Sequence, residues 1–410
     1  MPRRAKLLLL AALLARTALA AQAVAMVLFS LRQYHSPVLT GATATLVLLP
    51  GLAVSPVAGA ILNRTNRTGL IVADFTFTAA ALLLLTVLIE SRLCAPAPFL
   101  VIAGGTSVTT PLSSAGLRAL LPALVDDGLW DRINGYDSAA STVALIVGPA
   151  LGGSVLGLAG APAAFGSMAA LFLAGGIAVV AARLPSGLQA PASPSGPILA
   201  DAWWGLRTVL ADSTLRGLAL TLSTTNIAFG LLTVALPVLL AARPSGGASS
   251  LGILWTVMGA GGLVAALLAS RLSTAHREHL VMSLSIGVYA LGYVILTFAG
   301  SLWLIGVAMA VLGGGAAVSD IAVLSLRQRH VGTAGLGMAI AISMSLNSAG
   351  APVGSFTAGF VIAALHVRGV LGLAALVSVV ASVLPWLGLH PPPSLPARPA
   401  RASSPGARDA

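Results

Sequence analysis

Four ionisable residues lie inside long apolar stretches of the chain: Arg16, Asp74, Asp137 and Asp320. An ionised group in apolar surroundings is costly, so such a residue pairs with an opposite charge, faces water or loses its charge. A carboxyl group in such a place can bind and release a proton as its surroundings change. These residue types therefore favour proton binding, with the arginine either beside a cavity or in an ion pair.

The individual roles remain open between two interpretations each. Asp320 is the one acid inside an apolar stretch of the second half, so we expect it to carry the proton; the alternative is an ion pair with Arg327, about two helical turns further on. Asp137 is either a helix-start charge, which the helix dipole favours, or part of a conformational latch. Arg16 has either a cavity or coupling role or a place in a structural ion pair.

Three uncharged amides, Gln22, Asn226 and Asn347, also lie deep in apolar stretches. A buried amide needs a hydrogen-bonding partner, which is a substrate, cavity water or a neighbouring helix. We take these three residues as candidates for lining a substrate cavity.

The residue inventory excludes several cofactor chemistries. The one lysine, Lys6, lies in a basic segment without the glycine-rich turn that a Walker A loop requires. The one cysteine, Cys94, can form neither an intrachain disulfide nor a thiolate metal cluster. We therefore expect no enzyme activity, no metal and no other cofactor.

The composition indicates which elements position these residues. Of the 410 residues, 57% are hydrophobic and only 8% are charged, whereas a soluble domain carries about 25% charged residues. Mean hydropathy is +0.97. The chain is predicted to be an all-α membrane protein that crosses the lipid bilayer many times.

Apolar runs of about 20 residues can cross a bilayer, and short polar or Gly/Pro turns separate twelve such runs in this sequence. The predicted transmembrane spans are 7–31, 38–62, 69–90, 97–121, 135–159, 162–182, 214–241, 249–270, 279–299, 301–325, 333–364 and 367–388.

Basic residues are distributed unequally between the two sides of these spans. Seventeen fall on the side of the N-terminus, and four fall on the other side: Arg32, Arg92, Arg243 and Arg368. Because cytoplasmic loops carry the excess of Lys and Arg, we expect both termini to be cytoplasmic in a bacterial plasma membrane. The net charge of +11 is then a topology signal, and no nucleic-acid partner is expected.

The spans divide into two sets of six. Residues 1–183 form a predicted N-terminal six-helix bundle, and residues 213–390 form a C-terminal one. The Pro/Ser/Gly-rich segment 184–212 between them is typical of a linker, with a short interfacial helix, and 391–410 is predicted to be a disordered cytoplasmic tail.

Special residues recur between the halves, as expected for an internal duplication. Three glycines of the fifth span match three of the eleventh, each 202 residues further on: Gly148, Gly152 and Gly157 with Gly350, Gly354 and Gly359. The pattern favours two pseudo-symmetric bundles with a substrate site between them.

The segment 59–68 resembles the signature loop of the major facilitator superfamily, G-x-x-x-D-R-x-x-R-R/K, and lies between the second and third spans as it does in that family. Gly59, Arg64 and Arg67 match, whereas Asn63 replaces the family's acid and Thr68 its last basic residue. The resemblance implies a gating loop, weakened by the loss of that acid. It also implies that Asp74, which opens the third span, is a partner of the loop arginines.

The run Gly148-Pro149-Ala-Leu-Gly152-Gly153 in the fifth span resembles the antiporter signature of the drug-efflux branches of that superfamily. With Gly157 it forms a packing and bending motif, because small residues let helices approach closely and proline removes a backbone hydrogen bond. The segment 205–216 is similar to actinobacterial efflux-like members.

Together these features predict a monomeric, proton-coupled transporter that exports a small amphipathic or hydrophobic molecule by alternating access. Two alternatives remain, a proton-coupled importer of a small nutrient and a multi-pass scaffold without transport activity. An importer of a polar nutrient is expected to have more charged or aromatic residues in its cavity, and a scaffold to have a large soluble loop.

Overall fold

The computed structural model describes residues 2–64, 66–126, 129–184, 206–207, 209–243, 247–269, 277–330, 343 and 345–388. Its long helices are α1 (Arg3–Tyr34), α2 (Pro37–Leu46), α3 (Leu49–Arg64), α4 (Arg67–Glu90), α5 (Pro96–Leu120), α6 (Trp130–Leu158), α7 (Gly160–Ala181), α8 (Ser213–Ala241), α9 (Ala248–Ala269), α10 (Glu278–Phe298), α11 (Leu302–His330) and α12 (Gly350–Gly388).

These helices account for the twelve predicted spans. Ten stretches of the described chain are long and apolar enough to cross a membrane. One of them, Ser345–Leu387, contains two spans, because α12 bends at His366, whose φ and ψ angles of 59° and 172° are not helical. The twelfth span is α5, which is 25 residues long but carries six serines and threonines.

Two predicted spans differ in detail from the structure. The second span is not one helix, because α2 ends at Leu46 and α3 begins at Leu49, next to Pro50. The predicted start of the eleventh span, at 333, falls in a segment outside the described residues. Most of the predicted linker and the whole of the tail 391–410 also lie outside them, so these domain boundaries stay predictions.

Short polar side chains fix where several helices begin. The Ser36 hydroxyl accepts a hydrogen bond from Leu39 N at 3.3 Å at the start of α2. Asp212 caps α8 in the same way, accepting from Leu215 N at 2.8 Å. Each cap satisfies a backbone donor that has no partner within the first helical turn.

The predicted duplication is visible in how the repeated glycines pack. Gly148 and Gly152 lie on α6 against the backbone of α1, and Gly350 and Gly354 lie on α12 against the backbone of α8. A Cβ atom at any of these positions would collide with the backbone or side chain of the partner helix, so only glycine allows the approach. The two halves therefore have the same close, glycine-mediated helix contact at equivalent positions.

We call the end of the bundles where α1 begins the N-terminal face. The end of α7 packs there, since Gly175 lies against Phe75 in the first turns of α4 and beside Ala11 of α1. The end of α5 lies at the same face, since Gly116 packs against Ile71, also in α4. The starts of α1 and α4 and the ends of α5 and α7 thus share this face.

The two bundles contact one another towards the opposite face. Thr45 Oγ1 on α2 donates to Pro352 O on α12 at 3.1 Å, and Thr256 Oγ1 on α9 donates to Ile146 O on α6 at 3.3 Å. A Cβ at Gly359 would lie 2.8 Å from Pro37 O, so these helices also touch near the beginning of α2. The pairs α2–α12 and α6–α9 close the molecule on that side.

Candidate functional site

A cavity of about 630 Å³ lies between the two bundles. Its lining comes from α1, α3, α5, α6, α8, the break between α2 and α3, and the residues around the start of α12. The polar side chains that line it include Arg16, Ser107, Thr110, Arg118, Ser141 and Asn226. Two of its lining residues, Ser114 and Arg118, are exposed near the end of α5. The cavity therefore opens towards the N-terminal face.

Arg16 and Asp137 form an ion pair that joins α1 to α6. The Arg16 Nη1 atom lies 2.7 Å from Asp137 Oδ1, and Nη2 donates to Asp137 Oδ2 at 3.1 Å. Nη1 also donates to the Ser141 hydroxyl at 2.7 Å. Both charged side chains are 16% exposed. Arg16 thus lines the cavity and forms an ion pair, while a coupling role for it stays a prediction.

Asp74 is almost completely buried, with 2% of its surface exposed. Its partners are hydroxyl groups: Thr78 one turn along α4 at 3.5 Å, and Thr109 and Ser113 on α5. Arg67, one of the two predicted partners, donates from Nε to Leu62 O at 3.0 Å and takes part in a further interaction. No contact joins it to Asp74 among the described residues. Among the described residues, the polar contacts of Asp74 are thus with hydroxyl groups of α4 and α5.

The rest of the predicted gating loop is described only as backbone. Helix α3 runs through Gly59, Asn63 and Arg64 as far as its last residue, but the side chains of these three lie outside the described part of the chain. A pairing of Asp74 with Arg64 therefore stays a prediction.

Asp320 lies on α11, and its surface is not covered by other parts of the protein. Asp320 is not without an interaction partner. The side chain of Arg327, the alternative ion-pair partner, lies outside the described residues, so neither role predicted for Asp320 is decided.

The three amides occupy different places. Asn226 lines the cavity, and its Nδ2 donates to Leu222 O at 2.9 Å and to Asn347 O at 3.0 Å. Gln22 is 1% exposed and donates from Nε2 to the Thr106 hydroxyl of α5 at 2.9 Å. Asn347 is 7% exposed, while the next residue, Ser348, lines the cavity. Asn226 is therefore the amide in contact with the cavity, and Gln22 serves a helix–helix contact.

The cavity has an apolar floor that was not foreseen from the sequence. Deeper between the bundles, a further space of about 170 Å³ is lined by Ala23, Pro149, Phe229, Thr233 and Trp255, among others. The Phe229 and Trp255 rings meet edge to face, with centroids 5.7 Å apart. We call this space the floor pocket. The spacing of Phe229 from Asn226, one helical turn, is the signal that could have indicated it.

The predicted bending motif lies where three helices meet. Gly148 packs on α1, Pro149 lines the floor pocket, and a Cβ at Gly252 of α9 would lie 3.0 Å from Pro149 O. Gly153 is buried and Gly157 is exposed. The motif thus touches a helix of its own bundle, a helix of the other bundle and the space between them.

Comparison with known proteins agrees with this architecture. A family model described as "Major Facilitator Superfamily" matches residues 218–408. An uncharacterized MFS-type transporter, y4rN, of Sinorhizobium fredii is 33% identical over 380 residues, which cover 92% of each chain.

Solved structures share the fold at low sequence identity. The nucleoside transporter NupG superposes with a TM-score of 0.74 at 12% identity, covering 94% of this chain and 99% of its own. A POT family transporter in complex with a thioalcohol-conjugated peptide gives a TM-score of 0.73 at 12% identity, covering 94% and 96%. With the relative aligned over nearly its whole length and the two bundles in place, the chain belongs to the major facilitator superfamily.

Proposed function

We propose that this membrane transporter exports a small amphipathic or hydrophobic compound from the bacterial cytoplasm in exchange for protons. The observation that carries the proposal is the cavity between the bundles, polar at its mouth and apolar at its floor. An amphipathic molecule can place its polar group near Arg16 and Asn226 and its apolar part in the floor pocket.

Alternating access gives this cavity its function. With both termini in the cytoplasm, as the distribution of basic residues favours, the opening at the N-terminal face is the cytoplasmic one. The contacts α2–α12 and α6–α9 then close the external side, and the structure corresponds to the inward-facing state. Rocking of the two bundles would break these contacts and expose the cavity to the outside.

The proton gradient is the driving force that fits the residues. Moving one charge across 100 mV supplies about 2.3 kcal/mol, and Asp74, Asp137 and Asp320 are carboxyl groups that could carry the proton. The likeness of residues 148–153 to an antiporter signature supports export rather than import.

Import of a small nutrient is the second candidate, and the polar mouth of the cavity favours it. This protein shares its fold with the nucleoside transporter NupG and with a POT family transporter. Arg16, Ser141 and Asn226 could bind a polar solute as readily as the polar group of an amphipathic one.

Everted membrane vesicles distinguish the two directions. Vesicles from cells that produce the protein are acidified inside by respiration, and a fluorescent dye that reports the proton gradient is followed while amphipathic compounds are added. Export in exchange for protons predicts that a compound dissipates the gradient, and that vesicles without the protein do not respond. If amphipathic compounds leave the gradient unaffected, and nucleosides or peptides loaded inside the vesicles lower it by leaving together with protons, the export proposal is overturned.

A further inference from the structure

The charged side chains in the described lining of the cavity are two arginines, Arg16 and Arg118. Asp137 lies beside the lining and pairs with Arg16. The segment 331–344, which lies outside the described residues apart from position 343, carries no charged residue in its sequence. The uncompensated charge of the described lining is therefore the positive charge of Arg118.

The two arginines differ in what they can still bind. The Arg16 guanidinium is neutralised by Asp137, which pairs with it from α6. Arg118 is exposed near the end of α5 and has neither an ion pair nor a hydrogen bond among the described residues. Because a guanidinium presents a planar fork of donors, Arg118 is suited to a carboxylate, sulfonate or phosphate group.

The floor pocket has the volume and the apolar lining needed to bind one aromatic ring. A cavity of about 150 Å³ lined by Leu, Ile and Phe side chains stays dry and binds benzene, and the floor pocket measures about 170 Å³. Thr233 is the one hydroxyl side chain in its described lining, and Phe229 and Trp255 offer an aromatic wall. A larger apolar group, such as a polycyclic one, would extend into the wider cavity.

We propose that the substrate is an amphipathic organic anion, whose single ring or similar-sized apolar group occupies the floor pocket while its anionic group faces Arg118. This proposal rests on the transport function proposed above and narrows its substrate class. It requires a molecule long enough to reach from the middle of the bundles to the end of α5, and it disfavours lipophilic cations.

Two probes with the same apolar group and opposite charges test the proposal. Ser107 and Arg118 are separated by 11 residues of α5, about 16.5 Å, so the probes need a long chain. The full-length protein in lipid nanodiscs is titrated with 8-phenyloctanoate or with 8-phenyloctylammonium, and the thermal unfolding midpoint is measured. We expect phenyloctanoate to raise the midpoint in a saturable way and phenyloctylammonium to leave it unchanged. Acetate, which lacks the ring and the chain, should also have no effect, because the floor pocket then stays empty.

Variants assign the two contacts. Arg118→Gln should weaken phenyloctanoate binding about tenfold, since it removes a charge-assisted contact. The matched control Arg32→Gln, which changes an exposed arginine on α1 away from the cavity, should bind as the parent does. Ala23→Phe should abolish binding because its own ring fills the floor pocket. The control Trp303→Ala changes a 79% exposed tryptophan outside the cavity and should have no effect.

Equal or tighter binding of the ammonium probe would overturn the anion proposal, and so would a failure of both probes to bind. Phenyloctanoate binding that is insensitive to either Arg118→Gln or Ala23→Phe would also overturn it. Export itself is tested separately, because dissipation of the proton gradient by a cationic or neutral compound in the vesicle assay would support the proposed function while refuting the anion class.

Discussion

Loss of the Arg16–Asp137 ion pair should destabilise the N-terminal bundle. The pair joins α1 to α6 at 2.7 Å, and both side chains are 16% exposed. Removing one partner of a buried pair leaves the other charge uncompensated and costs about 3–5 kcal/mol. Since the cavity beside this pair can admit water, we expect Arg16→Gln to cost about 2–3 kcal/mol, in the range of hydrogen bonds to charged groups.

The double variant separates pairing from other effects. Asp137→Asn removes the same interaction, and Arg16 then keeps the Ser141 hydroxyl and the Asp137 carbonyl oxygen as acceptors. We therefore expect a smaller cost, about 1–2 kcal/mol. Arg16→Gln combined with Asp137→Asn should cost no more than the worse single change, which corresponds to a coupling energy above about 1 kcal/mol.

Reversible unfolding in mixed micelles titrated with sodium dodecyl sulfate measures these free energies. Arg32→Gln is the matched control, because it removes an exposed arginine at the far end of the same helix. Strictly additive single effects, or single variants as stable as the control, would refute the conclusion that this ion pair stabilises the bundle.

Three further outcomes are expected. Gly354→Ala should lower the unfolding midpoint and the amount of protein in the membrane, because the added Cβ collides with Ile227 O. The control Gly287→Ala, whose Cβ has no atom within 4 Å, should behave as the parent, and equal behaviour of the two variants would contradict the close contact between α8 and α12. Burial raises the pKa of the Cys94 thiol, so less thiolate is present at neutral pH. Maleimide should therefore label Cys94 more slowly than a free cysteine and reach its half-maximal rate at a higher pH, and labelling as fast as that of free cysteine would contradict this. Asp320→Asn should abolish proton-driven transport and leave the protein folded in the membrane, and unchanged proton coupling would remove Asp320 from the mechanism.

Hydropathy and small residues were enough to predict the architecture. Long apolar runs have few alternatives to helices across a bilayer, since every backbone polar group must be satisfied within the chain. Glycine pairs 202 residues apart indicated the duplication because close helix contacts tolerate no side chain. The break between α2 and α3 was not predicted, because it does not interrupt the hydrophobic pattern. The bend at His366 falls in the predicted turn between the eleventh and twelfth spans.

Single residues of the candidate site, such as Arg16 and Asn226, could be predicted from the sequence, but the full set and its arrangement could not. Arg16 and Asp137 were each identified, yet their pairing depends on two helices that are 121 residues apart in sequence. On α1 the cavity is lined by Arg16, Ala20 and Ala23, which share one helical face, and Gln22 lies off that face and contacts α5. Knowing that a residue lies in a transmembrane span does not show which face of the helix its side chain occupies.

The contact between α6 and α9 allows alternating access to be tested directly. A Cβ at Gly259 lies 3.6 Å from Ile146 Cβ, which suits a disulfide. In a protein with Cys94→Ala, the pair Ile146→Cys with Gly259→Cys would link the two bundles. The pair Ser30→Cys with Thr43→Cys is the control, because these hydroxyls lie 3.1 Å apart within the N-terminal bundle.

The decisive measurement is transport by the Ile146→Cys, Gly259→Cys protein before oxidation, after oxidation and after reduction, with a compound identified in the vesicle assay. If the bundles must separate at α6–α9 to expose the cavity, oxidation stops transport, reduction restores it, and the Ser30→Cys, Thr43→Cys control transports in both states. Undiminished transport by a fully oxidised Ile146→Cys, Gly259→Cys protein would contradict alternating access through this cavity.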